Sequence, residues 1–260
     1  MRERRLLPGL SFLAATALVV AGWALVVLLA DPPAFILPSP LRVLSAFAER
    51  PGYFLTAMAS TAGGILAGLM LAVAAGLAAA LIMARYPVAR RLGLPFLLLT
   101  QALPVFAIAP LLVVWLGFGM ASKAVMAALI ILFPLASNFL DGLMRTPRGL
   151  IDLGRLAGAG ETQLLFLIRV PAAFREAVSG LRIAVGVAPI GAIVGEWVGA
   201  SQGLGAVMIH ANARMQTDAV FVALALLTLL VLALRFSFDA LVRRWLPGPS
   251  ASTDPFLSRT

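Results

Sequence analysis

The chain reads as an all-α polytopic membrane protein with six transmembrane helices and both ends on the cytoplasmic side. Three observations lead there. Hydrophobic residues make up 62% of the 260 residues and charged residues only 12%, against about 45–50% and about 25% in ordinary soluble domains. The apolar residues gather into six runs, each close to the roughly 20 residues that cross a ~30 Å hydrocarbon core as helix. Lys and Arg fall in alternate connections, as the basic bias of cytoplasmic loops requires.

The runs are Ser11–Ala30, Leu55–Met83, Leu92–Phe118, Ala124–Met144, Ala177–Ala200 and Ala219–Leu241. The basic start at Arg2, Arg4 and Arg5 has the look of a signal peptide. The apolar stretch that follows, Phe12 to Ala30, exceeds the ~7–15 residues of a cleaved signal and reads as a retained helix. After it, Asp31-Pro-Pro33 and Pro38-Ser-Pro40 make a rigid entry, and Leu41–Glu49 reads as an amphipathic helix at the interface. The second run is long for a perpendicular crossing, so it tilts or overshoots. Residues Gly248–Thr260 are polar and read as a frayed end. One transmembrane domain fills residues 1–260, with a core at about 55–241.

Orientation follows from the charges. Arg2, Arg4, Arg5, Arg85, Arg90 and Arg91 fall inside, then Arg145, Arg148, Arg155, Arg169, Arg175 and Arg182, then Arg235, Arg243, Arg244 and Arg259. Outside are only Arg42, Arg50, Lys123 and Arg214, with Lys123 in a short turn.

Composition also excludes. With no cysteine there is no disulfide or thiolate metal site, and the single histidine, His210, builds no cluster. His210, Asp218 and Glu196 lack ligand spacing, so no metal is expected. The net charge of +9 is spread between apolar runs, with no basic stretch interleaved with aromatics for base stacking, so nucleic acid is not a partner. A phosphate-cradling loop needs Gly-Lys-Ser/Thr; the only lysine, Lys123, has no such setting. No nucleotide or other cofactor is expected on this chain.

The stretch Arg145–Glu176 is longer than neighbouring helices need for a link. Helical pieces at Leu150–Ala157 and Glu161–Arg169 are broken at Gly158-Ala-Gly160 and stopped by Pro171. Leu156, Leu164, Leu165 and Ile168 give an apolar side, and Asp152, Arg155, Glu161 and Arg169 a charged one. A two-helix knob of this kind at the cytoplasmic surface suits docking of another protein.

Asp152-Leu153-Gly154-Arg155, Gly158-Ala159 and Val170-Pro171 are spaced like the Glu-Ala-Ala loop of type I ABC importer permeases. Asp152 replaces the family's glutamate, and Leu153 and Gly154 replace its two alanines. Gly180-Leu-Arg-Ile-Ala184, Gly195-Glu-Trp-Val-Gly-Ala200 and Gly203-Leu-Gly205 resemble the family's fifth helix and following loop. Gln101-Ala-Leu-Pro104 and Ala109-Pro-Leu-Leu112 resemble its third helix. The resemblance implies a type I importer fold in a bacterial cytoplasmic (inner) membrane and a non-catalytic subunit working as a permease homodimer. It also implies an ATP-binding subunit dimer carrying ATP and Mg, and an external solute-binding protein. The Asp152–Pro171 element is then the ATPase-coupling loop.

In the fifth run Gly191, Gly195 and Gly199 recur every four residues, a spacing that lets helices approach closely. Pro189 interrupts the same helix. Glu196 lies about fourteen residues, ~21 Å, beyond Arg182; a carboxylate facing lipid is costly, so it faces the bundle interior, water or headgroups. Glu196, Pro189, the three glycines, Pro104 and Pro110 are therefore candidates for a translocation path or gate, with tight packing as the plainer alternative. Pro134 suggests a further irregular helix.

Two other classes compete. Gly199-Ala-Ser201-Gln-Gly203 has the Gly-x-Ser-x-Gly form of a hydrolase elbow, but that elbow needs a strand–turn–helix setting. A self-sufficient secondary transporter would show an inverted repeat, and the sequence has none. The Gly195–Gly205 and Ala211–Asp218 stretches resemble the branch handling sulfonates, nitrate, taurine and thiamine-precursor pyrimidines, the second leaning toward the pyrimidines.

Overall fold

The computed structural model describes residues 7–245, with side chains from Ala14 to Arg244. Arg2, Arg4, Arg5, Arg259 and the Gly248–Thr260 segment lie outside the described residues. Among the described residues the elements are helical throughout: α1 (Leu7–Ala30), α2 (Pro40–Glu49), α3 (Pro51–Arg85), α4 (Pro87–Ala102), α5 (Val105–Leu116) and α6 (Met120–Met144) come first. Then follow α7 (Arg148–Leu156), α8 (Glu161–Gln163), a π-helical segment (Leu164–Arg169), α9 (Val170–Ala172), α10 (Phe174–Gly199), α11 (Leu204–Ala213) and α12 (Thr217–Trp245).

Among the described residues four helices, α3, α6, α10 and α12, are long and apolar enough to cross a membrane. The third apolar run differs from the single crossing expected of it. It is two helices, α4 and α5, bent by 100° at a short break. The cause is local: Leu103 is extended (φ −71°, ψ 127°) ahead of Pro104, as the residue before proline prefers. Pro104 then stands as the N-cap of α5, where its missing N–H leaves no gap. Counted as one span, this pair makes a fifth crossing among the described residues; α1, 24 residues long, is apolar over Ala14–Ala30.

The core is organised on α6, which packs between α3 and α10. Without a hydrophobic force between helices in lipid, such contacts depend on small residues that admit close approach. Ala127 shows how tight they are. A Cβ placed on Gly68 of α3 would stand 2.5 Å from the Ala127 Cβ, and one on Gly191 of α10 would stand 2.5 Å from its Cα. Along α3 the buried residues Gly64, Gly68, Ala72, Gly76 and Ala80 recur every four residues, facing α6. That stripe escapes the sequence reading, which finds the comparable row only in α10.

Helix α2 begins at the Ser39 N-cap, whose side chain accepts from the Arg42 N–H, with Pro40 in its first turn. It buries Val43 in a cluster with Phe54, Leu204, Val207 and Val222, so its apolar face meets protein as well as the interface. Helix α11 is a further difference, because the stretch after Gly203 reads as loop in sequence. Leu204, Ala206 and Val207 bury themselves in that same region, folding the loop back as a short apolar helix.

The two ends of the bundle separate the charges. At one end Arg90 Nη1 lies 3.0 Å from Met144 Sδ. On the same side Arg182 and Arg235 both pair with Asp239, each at 3.1 Å. At the other end are Lys123, Arg214 and the Arg42–Asp218 pair at 3.7 Å. The described basic residues thus sort as the sequence pattern groups them.

Candidate functional site

Two sites stand at opposite ends. The first is the element between α6 and α10. Its α7 ends in a glycine-closed cap: Gly158 takes φ +82°, its N–H bonds Arg155 O at 2.9 Å, and the Ala159 N–H reaches Gly154 O at 2.9 Å. This double bond with a left-handed residue is the Schellman arrangement, which only glycine adopts without strain. Across the bend Arg155 Nη2 donates to Glu161 Oε1 at 3.0 Å, and Gln163 Oε1 accepts from the Gly160 N–H at 2.9 Å. The Arg155 hydrogen bond holds the exposed Glu161 carboxyl below its ordinary value of 4.5.

Pro171 does not stop the second piece. The chain stays helical from Glu161 through Ala172, passing through the π-helical turn, and breaks only at Ala173 (φ −83°, ψ 1°). Pro171 falls in the first turn of α9, where a missing N–H is tolerated. The apolar side divides in two. Leu164 and Leu165 are buried, Leu165 among Met83, Leu97, Phe139 and Leu143 of the bundle. Leu150, Leu153 and Leu156 stay exposed, Leu156 at 85%. Gly154, a departure from the family pattern, has a structural reason: a Cβ there would stand 2.6 Å from both Ile168 Cδ1 and Leu164 Cδ2. The glycine lets α7 lie flat on the π-helical turn. Asp152 is exposed beside it, and Ala159 and Val170 are half-buried.

The second site is at the far end. Glu196 lies in the bundle interior, one of the three dispositions its cost in lipid allows. Lys123 Nζ is 3.2 Å from Glu196 Oε1, with the two side chains 3% and 0% exposed. Lys123 is therefore not a turn residue but part of the first turn of α6. Thr61 Oγ1 donates to Glu196 Oε1 at 2.8 Å, and the Gly205 N–H donates to Oε2 at 2.7 Å. Lys123 also donates to Ser60 Oγ at 3.0 Å and to Gln202 O at 2.5 Å, and the Leu204 N–H donates to Thr61 Oγ1 at 2.8 Å. One network thus ties α3, α6, α10 and the start of α11. Ser60 and Thr61 go unnoticed in sequence, because they are two small polar residues inside a long apolar run, and Lys123 reads there only as a turn residue.

The other path candidates are distributed differently. A Cβ on Gly195 would lie 3.1 Å from Lys123 Cα, and one on Gly199 would run into Val113 of α5; with Gly191 on Ala127, the row is in close contact with neighbouring helices. Pro189 is buried within α10. Pro104 and Pro110 are exposed on the bent pair. Ser201 and His210 line the same recess. The nearby Glu196 carboxylate is engaged by Lys123, Thr61 and Gly205, and Ser201 follows a helix, not a strand.

Comparison with known proteins agrees with the architecture. Residues 64–247 match the family described as "Binding-protein-dependent transport system inner membrane component". A probable ABC transporter permease protein of Haemophilus influenzae is 46% identical over 86% of this chain and 91% of its own length. The formylaminopyrimidine transport permease protein of Halalkalibacterium halodurans is 34% identical over 75% of this chain and 79% of its own. The riboflavin transport system permease protein of Chloroflexus aurantiacus is 35% identical over 87% and 85%. A helical bundle with several membrane-crossing spans, a bent loop element and family identity across most of the chain converge: this protein belongs to the binding-protein-dependent transport system inner membrane components, as the multi-pass inner-membrane permease of an ABC importer.

Proposed function

We propose that this permease works as a homodimer with six crossings per copy and both ends inside. It is driven by a separate ATP-binding subunit dimer and loaded by an external solute-binding protein. The observation that carries the coupling role is the division of Asp152–Pro171. Leu165 anchors it to the bundle while Leu153 and Leu156, with Leu150 just ahead of them, are left bare on α7. A groove on the ATP-binding subunit would cover that bare crest. Closure of the nucleotide sites, where ATP and Mg belong, would push the anchored turn and α10, giving alternating access along the dimer axis. Glu196 and its network hold the outer end shut in this scheme.

The substrate is a thiamine-precursor pyrimidine. Support comes from the Ala211–Asp218 resemblance and from a relative named for formylaminopyrimidine transport. Isolating the complex with its ATP-binding subunit and identifying the ligand held by the binding protein tests both halves. Copurification with a pyrimidine bound is the expected result. Solute uptake by the permease alone, as a secondary transporter would show, overturns the coupling; a sulfonate or nitrate in the binding protein overturns the substrate.

A further inference from the structure

The outer end carries a second feature beyond the buried network. A recess of about 420 Å³ is lined by Tyr53, Thr56, Ser201, Gln202 and His210. Another of about 410 Å³ has Phe118 and Trp197 on its wall and shares Ser201 and His210 with the first. The two adjoin at those residues as the two arms of a trough, each in the ~300–1,000 Å³ range of small-molecule sites. No Lys, Arg, Asp or Glu lines either part. What lines it is aromatic rings and hydrogen-bonding side chains set among small apolar residues.

This lining selects by chemistry. Aromatic faces favour a flat ring, and serine, glutamine and histidine each offer both a donor and an acceptor to ring nitrogens or an exocyclic amine. A sulfonate would find no counter-charge there. The adjoining recess of about 280 Å³, which shares Tyr53 and His210, is different, with Glu49, Arg50, Arg214 and Asp218 on its walls. The floor of the trough is fixed in advance. Lys123 grips the Gln202 carbonyl, Gly203 (φ +131°) leaves no room for a side chain over Glu196, and Trp197 stacks on Phe106 at 6.1 Å. Fixing a site's backbone before the ligand arrives lowers the ordering cost of binding.

We propose that the permease has its own solute-recognition site in this trough, taking an uncharged, planar nitrogen heterocycle through Ser201, Gln202 and His210 with Tyr53 and Trp197 as aromatic walls. The inference rests on the pyrimidine reading above. It is tested with the full-length permease in nanodiscs, by equilibrium dialysis against formylaminopyrimidine and, separately, ethanesulfonate.

The heterocycle is expected to bind and the sulfonate not. Ser201→Ala and His210→Asn are each expected to weaken binding by about fivefold or more, with elution profile and melting temperature kept. Arg214→Gln, in the charged recess, is expected to bind as the parent does. No binding to the permease alone, unchanged binding in both trough variants, or loss confined to Arg214→Gln overturns the site. A binding protein found to hold a pyrimidine alongside unaffected trough variants removes this inference alone. A binding protein holding a sulfonate removes the substrate reading as well.

Discussion

Lys123 Nζ stands 3.2 Å from Glu196 Oε1 with both side chains shut from the surroundings, so a single deletion strands a charge. Removing one partner of a buried pair costs about 3–5 kcal/mol, whereas replacing both with apolar residues is far milder. Sequence alone leads one to expect that Glu196→Ala impairs uptake and leaves the protein in the membrane; the pair adds a stability cost. Glu196→Ala is expected to lower the melting temperature in detergent sharply, and Lys123→Met with Glu196→Leu to recover most of it. Equal melting for the single and double variants would refute the pairing.

Gly203→Ala tests the same network from the backbone. The glycine has φ +131°, and a methyl would collide with the Glu196 carboxylate. Protease nicking after α10 is expected to accelerate, while Gly52→Ala, with open space around it, changes nothing.

Ala127 sits against Gly68 on one side and Gly191 on the other. Overpacking a close-packed interior costs about 1–3 kcal/mol, occasionally more. Ala127→Leu should therefore lower the melting temperature, where Val114→Leu on the exposed face of α5 should not.

The bend of the proposed coupling element gives a functional readout. Gly158 has φ +82° with nothing nearby, so a bulky residue there clashes with nothing but strains the backbone by about 1–2 kcal/mol. Gly158→Val is expected to leave membrane insertion intact and to raise the ATP hydrolysed per solute imported by the assembled complex. Gly154→Leu, which meets Leu164 and Ile168, should uncouple more severely. Gly149→Ala, in open space, should behave as the parent.

The Arg155–Glu161 bond predicts a pH window. A carboxyl held low contributes its pairing above its ordinary value of 4.5 and loses it only as pH falls through the lowered one. The parent and Glu161→Gln should therefore differ by a constant amount in coupling ratio from about pH 6 to pH 8. No difference anywhere in that window would show that the bond does not matter to coupling, and one that fades across it would place its cause in another titrating group.

How much of this is legible beforehand depends on the kind of signal. Runs of apolar residues and the alternation of arginines are additive, and they give the helices and the sorting of charge. Gly158 is also legible, since a glycine between two helical patterns marks a bend. Pro171 misleads because a proline terminates a helix only when its N–H is needed; here it falls where a new turn begins. The α4–α5 bend is half visible, as Pro104 marks the place but not the angle. The Lys123–Glu196 pair is invisible, because it joins residues 73 positions apart and nothing in either run names the other. Gly154 looks like a defect in the family motif until Leu164 and Ile168 are seen pressed against it.

The chain's single lysine is the one locked against Glu196. Amine-reactive dyes applied to intact vesicles therefore have no ready side-chain target on the described bundle. Any labelling at that position during turnover would count the moments when the Lys123–Glu196 pair comes apart, a chemical stopwatch already installed in the wild-type polypeptide.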